Sequence, residues 1–168
     1  VQNGIVYIGS TDHTLYAIDS ASGKSLWFTV LNKNSPIYSS PAVLSDTIYI
    51  ATKDGIVLSV NSNNGKIVCS FKANSSIYSS PVIVKNILYI GSYDRNLYAL
   101  DAKNCQPIWE NEFSDWLYAS PAVHDGIVYI GSKDGELSAV YADTGKILWN
   151  KKLDDAISSS LIVIDKNT

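Results

Sequence analysis

Hydrophobic residues in this chain fall in short runs cut by polar turns, and the runs recur in a fixed order. The segment Gly126 to Trp149 shows the plan: Ile127-Val-Tyr-Ile130, a Lys133-Asp-Gly135 turn, Leu137-Ser-Ala-Val140, a Thr144-Gly-Lys146 turn, then Ile147-Leu-Trp149. Gly4 to Trp27, Asp46 to Cys69 and Asn86 to Trp109 repeat it, with Tyr7, Tyr49, Tyr89 and Tyr129 at matching places about 40 residues apart. The runs are β-branched and aromatic, end in turn residues, and show no sustained helical period, so each predicts a strand. A further strand type precedes each unit: Ser39-Ser-Pro-Ala-Val43, Ser79-Ser-Pro-Val-Ile83, Ala119-Ser-Pro-Ala-Val123 and Ser159-Ser-Leu-Ile-Val163. Pro is tolerated where an apolar run opens, because the missing donor falls outside the ladder.

Four short strands joined by tight turns predict an antiparallel meander. Because the runs do not alternate cleanly, each sheet is expected to be covered on both faces by similar sheets. Radial stacking of such units is a β-propeller. The expected fold is therefore all-β: one domain over 1–168, with repeats near 1–35, 36–75, 76–115 and 116–155 and a closing strand at 156–168. The chain opens at a second strand and ends with a first strand, so the C-terminal strand is expected to complete the N-terminal blade of a four-bladed ring. The alternative is half of an eight-bladed ring.

Composition narrows the function. Hydrophobic residues are 46% and charged residues 17%, with a formal net charge of -3, so a folded domain is expected without the basic footprint of a nucleic-acid binder. No apolar run is long enough to span a bilayer as a helix. Val1-Gln-Asn3 carries neither an initiator Met nor a signal peptide, as expected of a processed chain or a portion of a longer one. Cys69 lies on a strand and Cys105 in a turn, and two unpaired thiols are expected in preference to a disulfide.

The third turn and fourth strand carry the motif Ala-x-Asp-x-x-Thr-Gly-x-x-x-Trp. It reads Ala17-Ile-Asp19-Ser-Ala-Ser22-Gly23-Lys24-Ser-Leu-Trp27 in the first copy and Ala139 to Trp149 in the last. With Tyr-Ile-Gly-Ser-x-Asp-Gly ahead of it, this resembles the PQQ-like repeat of the eight-bladed quinoprotein alcohol dehydrogenases and of BamB. The resemblance implies that Trp27, Trp109 and Trp149 dock between neighbouring blades, while Gly23, Gly65 and Gly145 supply positive φ at the tight turns. Copies depart from it: Cys69 replaces a Trp, Asn61 and Tyr141 replace an Asp, and Cys105-Gln106 replaces Gly-Lys. The joint at Cys69 is therefore expected to be the least well filled.

One aspartate stands in each second-to-third turn: Asp12, Asp54, Asp94 and Asp134. Such residues bond their own turn backbone, and this reading outweighs a cation ring, whose oxygens would have to converge. The resemblance offers pyrroloquinoline quinone and calcium, but the chain has no adjacent cysteines and no inserted acidic loops, so neither cofactor, no metal and no enzymatic activity are expected. His13 and His124 stand in different kinds of turn, which gives no metal pair or catalytic triad. The second-to-third turns share a propeller face with the entries to the first strands. That face collects His13, Lys53, Tyr93, Arg95 and Lys133 with Tyr38, Tyr78, Trp116 and Tyr118. It suits a protein, peptide or glycan partner, against the reading that the tyrosines merely pack on adjacent blades. Trp116 breaks the repeat and is the expected anchor. The expected role is a non-enzymatic binding scaffold, with self-association through the terminal strands or a portion of a quinone-dependent dehydrogenase as alternatives. The resemblance implies a periplasmic, secreted or cell-surface setting.

Overall fold

A computed structural model describes residues 3–31 and 35–164. The polar linker at 32–34 and the end of the expected closing strand, 165–168, lie outside the described residues. The first sheet is β1 (Ile5–Gly9), β2 (Thr14–Asp19) and β3 (Ser25–Val30). The second is β4 (Ala42–Leu44), β5 (Thr47–Ala51), β6 (Ile56–Asn61) and β7 (Ile67–Lys72). The third is β8 (Val82–Val84), β9 (Ile87–Gly91), β10 (Asn96–Asp101) and β11 (Pro107–Glu112), and the fourth is β12 (Ala122–His124), β13 (Ile127–Gly131), β14 (Glu136–Tyr141) and β15 (Ile147–Lys152). Every neighbour in a sheet is also the neighbour in sequence, and all pairs are antiparallel. This is the expected all-β propeller of four blades. No helix of the described residues is long and apolar enough to cross a membrane.

The turns repeat as closely as the strands. The residue after Asp12, Asp54, Asp94 and Asp134 takes positive φ in every blade, as His13, Gly55, Arg95 and Gly135. Each blade also shifts register once, between Ala17 and Ile18, Ser59 and Val60, Ala99 and Leu100, and Ala139 and Val140. A shared irregularity of this kind bends the outer strand of each blade just before the position held by Trp27, Cys69, Trp109 and Trp149.

Three hydrophobic clusters form the core, and each joins two consecutive blades. Leu15 and Ile37 pack with Ile48, Ile50, Leu58 and Val60 between the first and second. Tyr49, Val57 and Ile77 meet Leu88, Ile90 and Tyr98 between the second and third. Tyr89, Leu97 and Leu117 meet Val128, Ile130 and Val140 between the third and fourth. Among the described residues no cluster joins the fourth blade to the first.

Four expectations are corrected. The closing strand is not formed among the described residues: β1–β2–β3 is a three-stranded sheet, and Ile162 and Ile164 of the C-terminal segment are 85% and 76% exposed. Among the described residues neither a shared sheet nor a core cluster joins the fourth blade to the first.

The cysteines are not free thiols: Cys69 and Cys105 form a disulfide, with Cα atoms 5.8 Å apart. Their joint is also not the poorly filled one. It carries a full cluster of buried residues, including an edge-to-face contact of Phe71 with Tyr98 at 4.9 Å.

Trp149, finally, does not dock. The rings of Trp27 and Trp109 lie on Gly65 and Gly145, where an added Cβ would come 2.8 and 2.7 Å from indole carbons. Their indole N–H groups donate to Ser62 O at 2.9 Å and Ala142 O at 3.1 Å. Trp149 is 40% exposed because no blade lies beyond it among the described residues.

These joints explain the cysteine pair. Cys69 stands where Trp27 and Trp109 stand, and Cys105 stands where Gly65 and Gly145 stand, with the same positive φ, 58° against 71° in each glycine. A covalent bond between blades replaces a ring docked on a glycine.

Candidate functional site

The entry to each first strand alternates a buried plug with an exposed neighbour. Ile37, Ile77 and Leu117 are buried at 0–3%, and in an extended segment the following residue points the opposite way. That residue is Tyr38, Tyr78 or Tyr118. The plugs explain the glycines that close some second strands: a Cβ on Gly9 would come 2.2 Å from Ile37, and one on Gly91 2.7 Å from Leu117.

The three tyrosines form a ladder across neighbouring blades. Ring centroids are 5.4 Å apart for Tyr38 and Tyr78 and 5.5 Å for Tyr78 and Tyr118. Tyr93, at the turn after β9, lies 4.8 Å from Tyr78 and stacks on Trp116 at 4.8 Å, with the ring planes 13° apart. Lys133 also lies over the Trp116 ring, its Nζ 4.4 Å from the ring centroid. A backbone bond from Lys133 N–H to Trp116 O at 2.9 Å holds the two together. Tyr38 is 53% exposed, and Trp116 and Tyr118 are 40% exposed.

The result is one continuous aromatic platform with the Lys133 ammonium over its Trp116 ring. Burial, and then the neighbouring Tyr78 and Tyr118, push the Tyr93 phenol above its usual range. Its hydroxyl therefore remains a neutral donor at physiological pH.

Sequence reasoning placed these residues on one face, and the structure brings six of them together: Tyr38, Tyr78, Tyr93, Trp116, Tyr118 and Lys133. The competing reading, packing against adjacent blades, is met in a specific way. The tyrosines pack on one another, with Tyr38 and Tyr118 exposed and Tyr78 half-buried between them. Three predicted residues do not join them. Arg95 pairs with Glu112 of β11. Lys53 is exposed in its own turn. His13 occupies a positive-φ turn position, its buried Nδ1 without a hydrogen-bond partner among the described residues.

Each aspartate is engaged by its own turn, and three also tie a neighbouring segment to it, Asp94 through Asn74 N–H at 2.9 Å. Asp12 accepts from Thr14 N–H at 3.1 Å and from the Tyr16 hydroxyl at 2.7 Å. Asp94 does the same with Asn96 N–H at 3.0 Å and the Tyr98 hydroxyl at 2.7 Å. Asp54 accepts from Ser35 and Thr52. Asp134 accepts from Ser132 and, at 2.8 Å, from Lys152. The Lys152 ammonium, helped by the Ser132 hydroxyl, holds the Asp134 carboxyl well below the usual carboxylate range.

A groove of about 700 Å³ opens on the side of the first-to-second turns, between the third and fourth blades, lined by Val84, Tyr89, Val123, His124 and Asp143. A smaller groove of about 290 Å³ recurs at the preceding joint, near Leu44, Tyr49 and Ala102. Recurrence at successive joints marks it as a feature of blade stacking, and sequence reasoning did not single it out.

Comparison with known proteins agrees with this architecture. One family, described as outer membrane protein assembly factor BamB, matches residues 1–115 and again 70–168. The structure of BamB from Moraxella catarrhalis superposes with a TM-score of 0.85 at 22% identity, covering 98% of this chain and 50% of that one. A europium-containing methanol dehydrogenase superposes with a TM-score of 0.80 at 16% identity, covering 94% of this chain and 41% of that one. Quinoprotein ethanol dehydrogenase of Pseudomonas aeruginosa is 28% identical over 81 residues, 40% of this chain and 12% of that protein. The chain thus spans half or less of these relatives, and the similarity below 25% identity speaks to fold alone.

Proposed function

Because this chain belongs to the BamB family of propeller-repeat proteins, we propose that it is a non-enzymatic scaffold that binds a protein or peptide partner on the aromatic platform, outside the cytoplasm. The observation that carries the reading is the platform itself: six side chains from three blades in contact with one another, with Tyr38, Trp116, Tyr118 and Lys133 exposed and Tyr78 and Tyr93 half-buried. Tyr and Trp give large contact area at little entropic cost and keep a polar tip for hydrogen bonds, which is why they dominate protein recognition sites. The inter-blade disulfide supports the setting, since such bonds persist in oxidising compartments.

The enzymatic relatives favour a second reading, in which the chain is part of a quinone-dependent dehydrogenase. The donor set does not fit it. Calcium needs several oxygens at one point, whereas Asp12, Asp54, Asp94 and Asp134 stand one to a blade, each engaged by its own turn. Peptide and glycan arrays, probed with the wild-type chain and with Trp116→Ala, test the proposal. Peptide binding that falls about 30-fold or more in Trp116→Ala, as for a hot-spot aromatic, supports it. Binding to glycans alone moves the partner class. Dye-linked alcohol oxidation after adding pyrroloquinoline quinone and calcium overturns it.

A further inference from the structure

The joint between the second and third blades differs from its neighbours in what it leaves uncovered. At the joints on either side an indole occupies the outer part of the interface. Trp27 stands across the strand pair from Ala17, and Trp109 from Ala99. Each ring rests against a tyrosine, Tyr7 or Tyr89, at 5.9 Å. At the middle joint the disulfide links the blades, but two sulfur atoms fill less space than a fused ring does. The core cluster beneath is complete, and the outer part is left as a groove.

That groove, of about 290 Å³, is bordered by Tyr49, Ser59 and Val68 of the second blade and by Asn86, Ala102 and Lys103 of the third. Ser59 and Val68 set it apart. Their counterparts Ala99 and Ile108 do not border the groove at the next joint, where Trp109 stands in the place of Cys69.

Two polar groups here lack a partner that the other joints supply. Ala142 O accepts from both the Tyr89 hydroxyl and the Trp109 indole, and Ser62 O from both the Tyr7 hydroxyl and the Trp27 indole. Ala102 O, at the matching position, accepts from the Tyr49 hydroxyl at 2.8 Å, and no indole stands beside it as a second donor. The other group is the Ser59 hydroxyl. An alanine holds this position in the other three blades, as Ala17, Ala99 and Ala139. Ser59 pairs with Tyr49 on one side and Cys69 on the other. Both of these reach the third blade, so the Ser59 side chain faces the same way. It is 1% exposed, and its hydroxyl has no hydrogen-bond partner among the described residues. A buried hydroxyl left unpaired destabilises a fold. Three departures thus meet at one joint: Trp to Cys, Gly to Cys and Ala to Ser. The first two keep the blades linked, and the third serves only something that enters the groove.

We infer that this groove binds a flat heteroaromatic molecule the size of a fused two-ring system, carrying a ring N–H and a second polar ring atom. The ring takes the space of the absent indole, between Tyr49 and the disulfide. The N–H donates to Ala102 O, and the second polar atom accepts from the Ser59 hydroxyl. A volume of about 290 Å³ lies at the lower end for small-molecule sites, which suits a ligand of this size. The groove opens on the side of the first-to-second turns, so it is separate from the aromatic platform.

Titrating the nitrogen-15-labelled chain with indole, benzimidazole and 1-methylindole tests this. Indole and benzimidazole are expected to shift the amide signals of Val68, Ala102 and Lys103 saturably. 1-Methylindole, which has no N–H, is expected to bind about 5-fold more weakly than indole. In Ser59→Ala the benzimidazole affinity is expected to fall to that of indole. The same variant is expected to melt no lower than the wild-type chain, because alanine fits this position in three blades. Cys69→Trp, Cys105→Gly returns an indole to the slot and is expected to lose the response to all three probes. Equal affinity for indole and 1-methylindole, a response that persists in the Trp–Gly variant, or no saturable shift at these amides up to the solubility of the probes overturns the inference. So does a Ser59→Ala chain that melts clearly lower, since its hydroxyl then serves the fold.

Discussion

If the disulfide occupies the place of a docked tryptophan, the two devices should be exchangeable. Replacing Cys69 by Ala and Cys105 by Gly removes the bond without forcing a Cβ into the positive-φ turn, where Cys105 sits at 58°. Cys69 and Cys105 are separated by 36 positions. Loop-closure entropy for a loop of that length makes the bond worth about 4 kcal/mol. At about 2–4 °C per kcal/mol for a chain of this size, the midpoint should fall by roughly 8–16 °C.

The variant Cys69→Trp, Cys105→Gly should recover most of this. Burying the indole returns about 2–3 kcal/mol. Its N–H gains Ala102 O, which already accepts from the Tyr49 hydroxyl at 2.8 Å, for about 1 kcal/mol more. Scanning calorimetry of the three proteins, with hydrogen exchange on β6 and β9 to localise the effect, makes the comparison. If the Trp–Gly variant melts no higher than the Ala–Gly variant, the equivalence of the two joints is refuted.

Other outcomes follow from single contacts. Tyr98 is 1% exposed and its hydroxyl donates to Asp94, so Tyr98→Phe should cost about 1.5–3 kcal/mol in urea titrations. Burial, and then Asp94, raise the Tyr98 pKa. Its stabilising effect is therefore complete below the ordinary tyrosine value near 10 and lost as pH climbs above it, so alkaline unfolding should be steeper in wild type than in Tyr98→Phe. Asp134 is shifted the other way, chiefly by Lys152. Its contribution is present above the ordinary value of 3.8 and lost as pH falls below it, and Lys152→Ala should move the carboxyl titration upward in an NMR pH series. Gly126 and Gly145 both have positive φ, yet only Gly145 lies under an indole. Gly126→Ala should thus cost about 1 kcal/mol, and Gly145→Ala clearly more, in thermal melts.

The sequence repeat made the strands, the turns and the aromatic face legible, because each depends on residues close together in the chain. The aspartates could be assigned to their turns for the same reason: Asp12 and Asp94 each accept from partners two and four positions away, whereas the bond from Asn74 to Asp94 spans twenty positions and had no local signal. The cysteine pair was not legible this way. Within one repeat Cys69 is a strand residue and Cys105 a turn residue, and nothing local links them. The signal was present in the comparison of copies, since the Trp that faces a Gly in two joints is lost together with that Gly in the third. Trp149 shows the opposite limit. Its motif is intact, yet docking needs a blade that no residue of its own repeat supplies.

The same distinction locates recognition on the platform. The spacing of Tyr38, Tyr78 and Tyr118 is set by blade stacking, and Ser158 stands at the fourth matching position, so the ladder has a direction and an end. Trp116 interrupts the pattern near that end. Its counterparts Pro36, Ser76 and Ala156 carry no aromatic ring, and it contacts both a neighbouring tyrosine and a lysine. A partner that read only the ladder could slide from one blade to the next, because each step looks alike. One that also engages Trp116 is fixed in register. Binding stoichiometry of one partner per chain, measured by calorimetry, then follows from the same residues that fix the register.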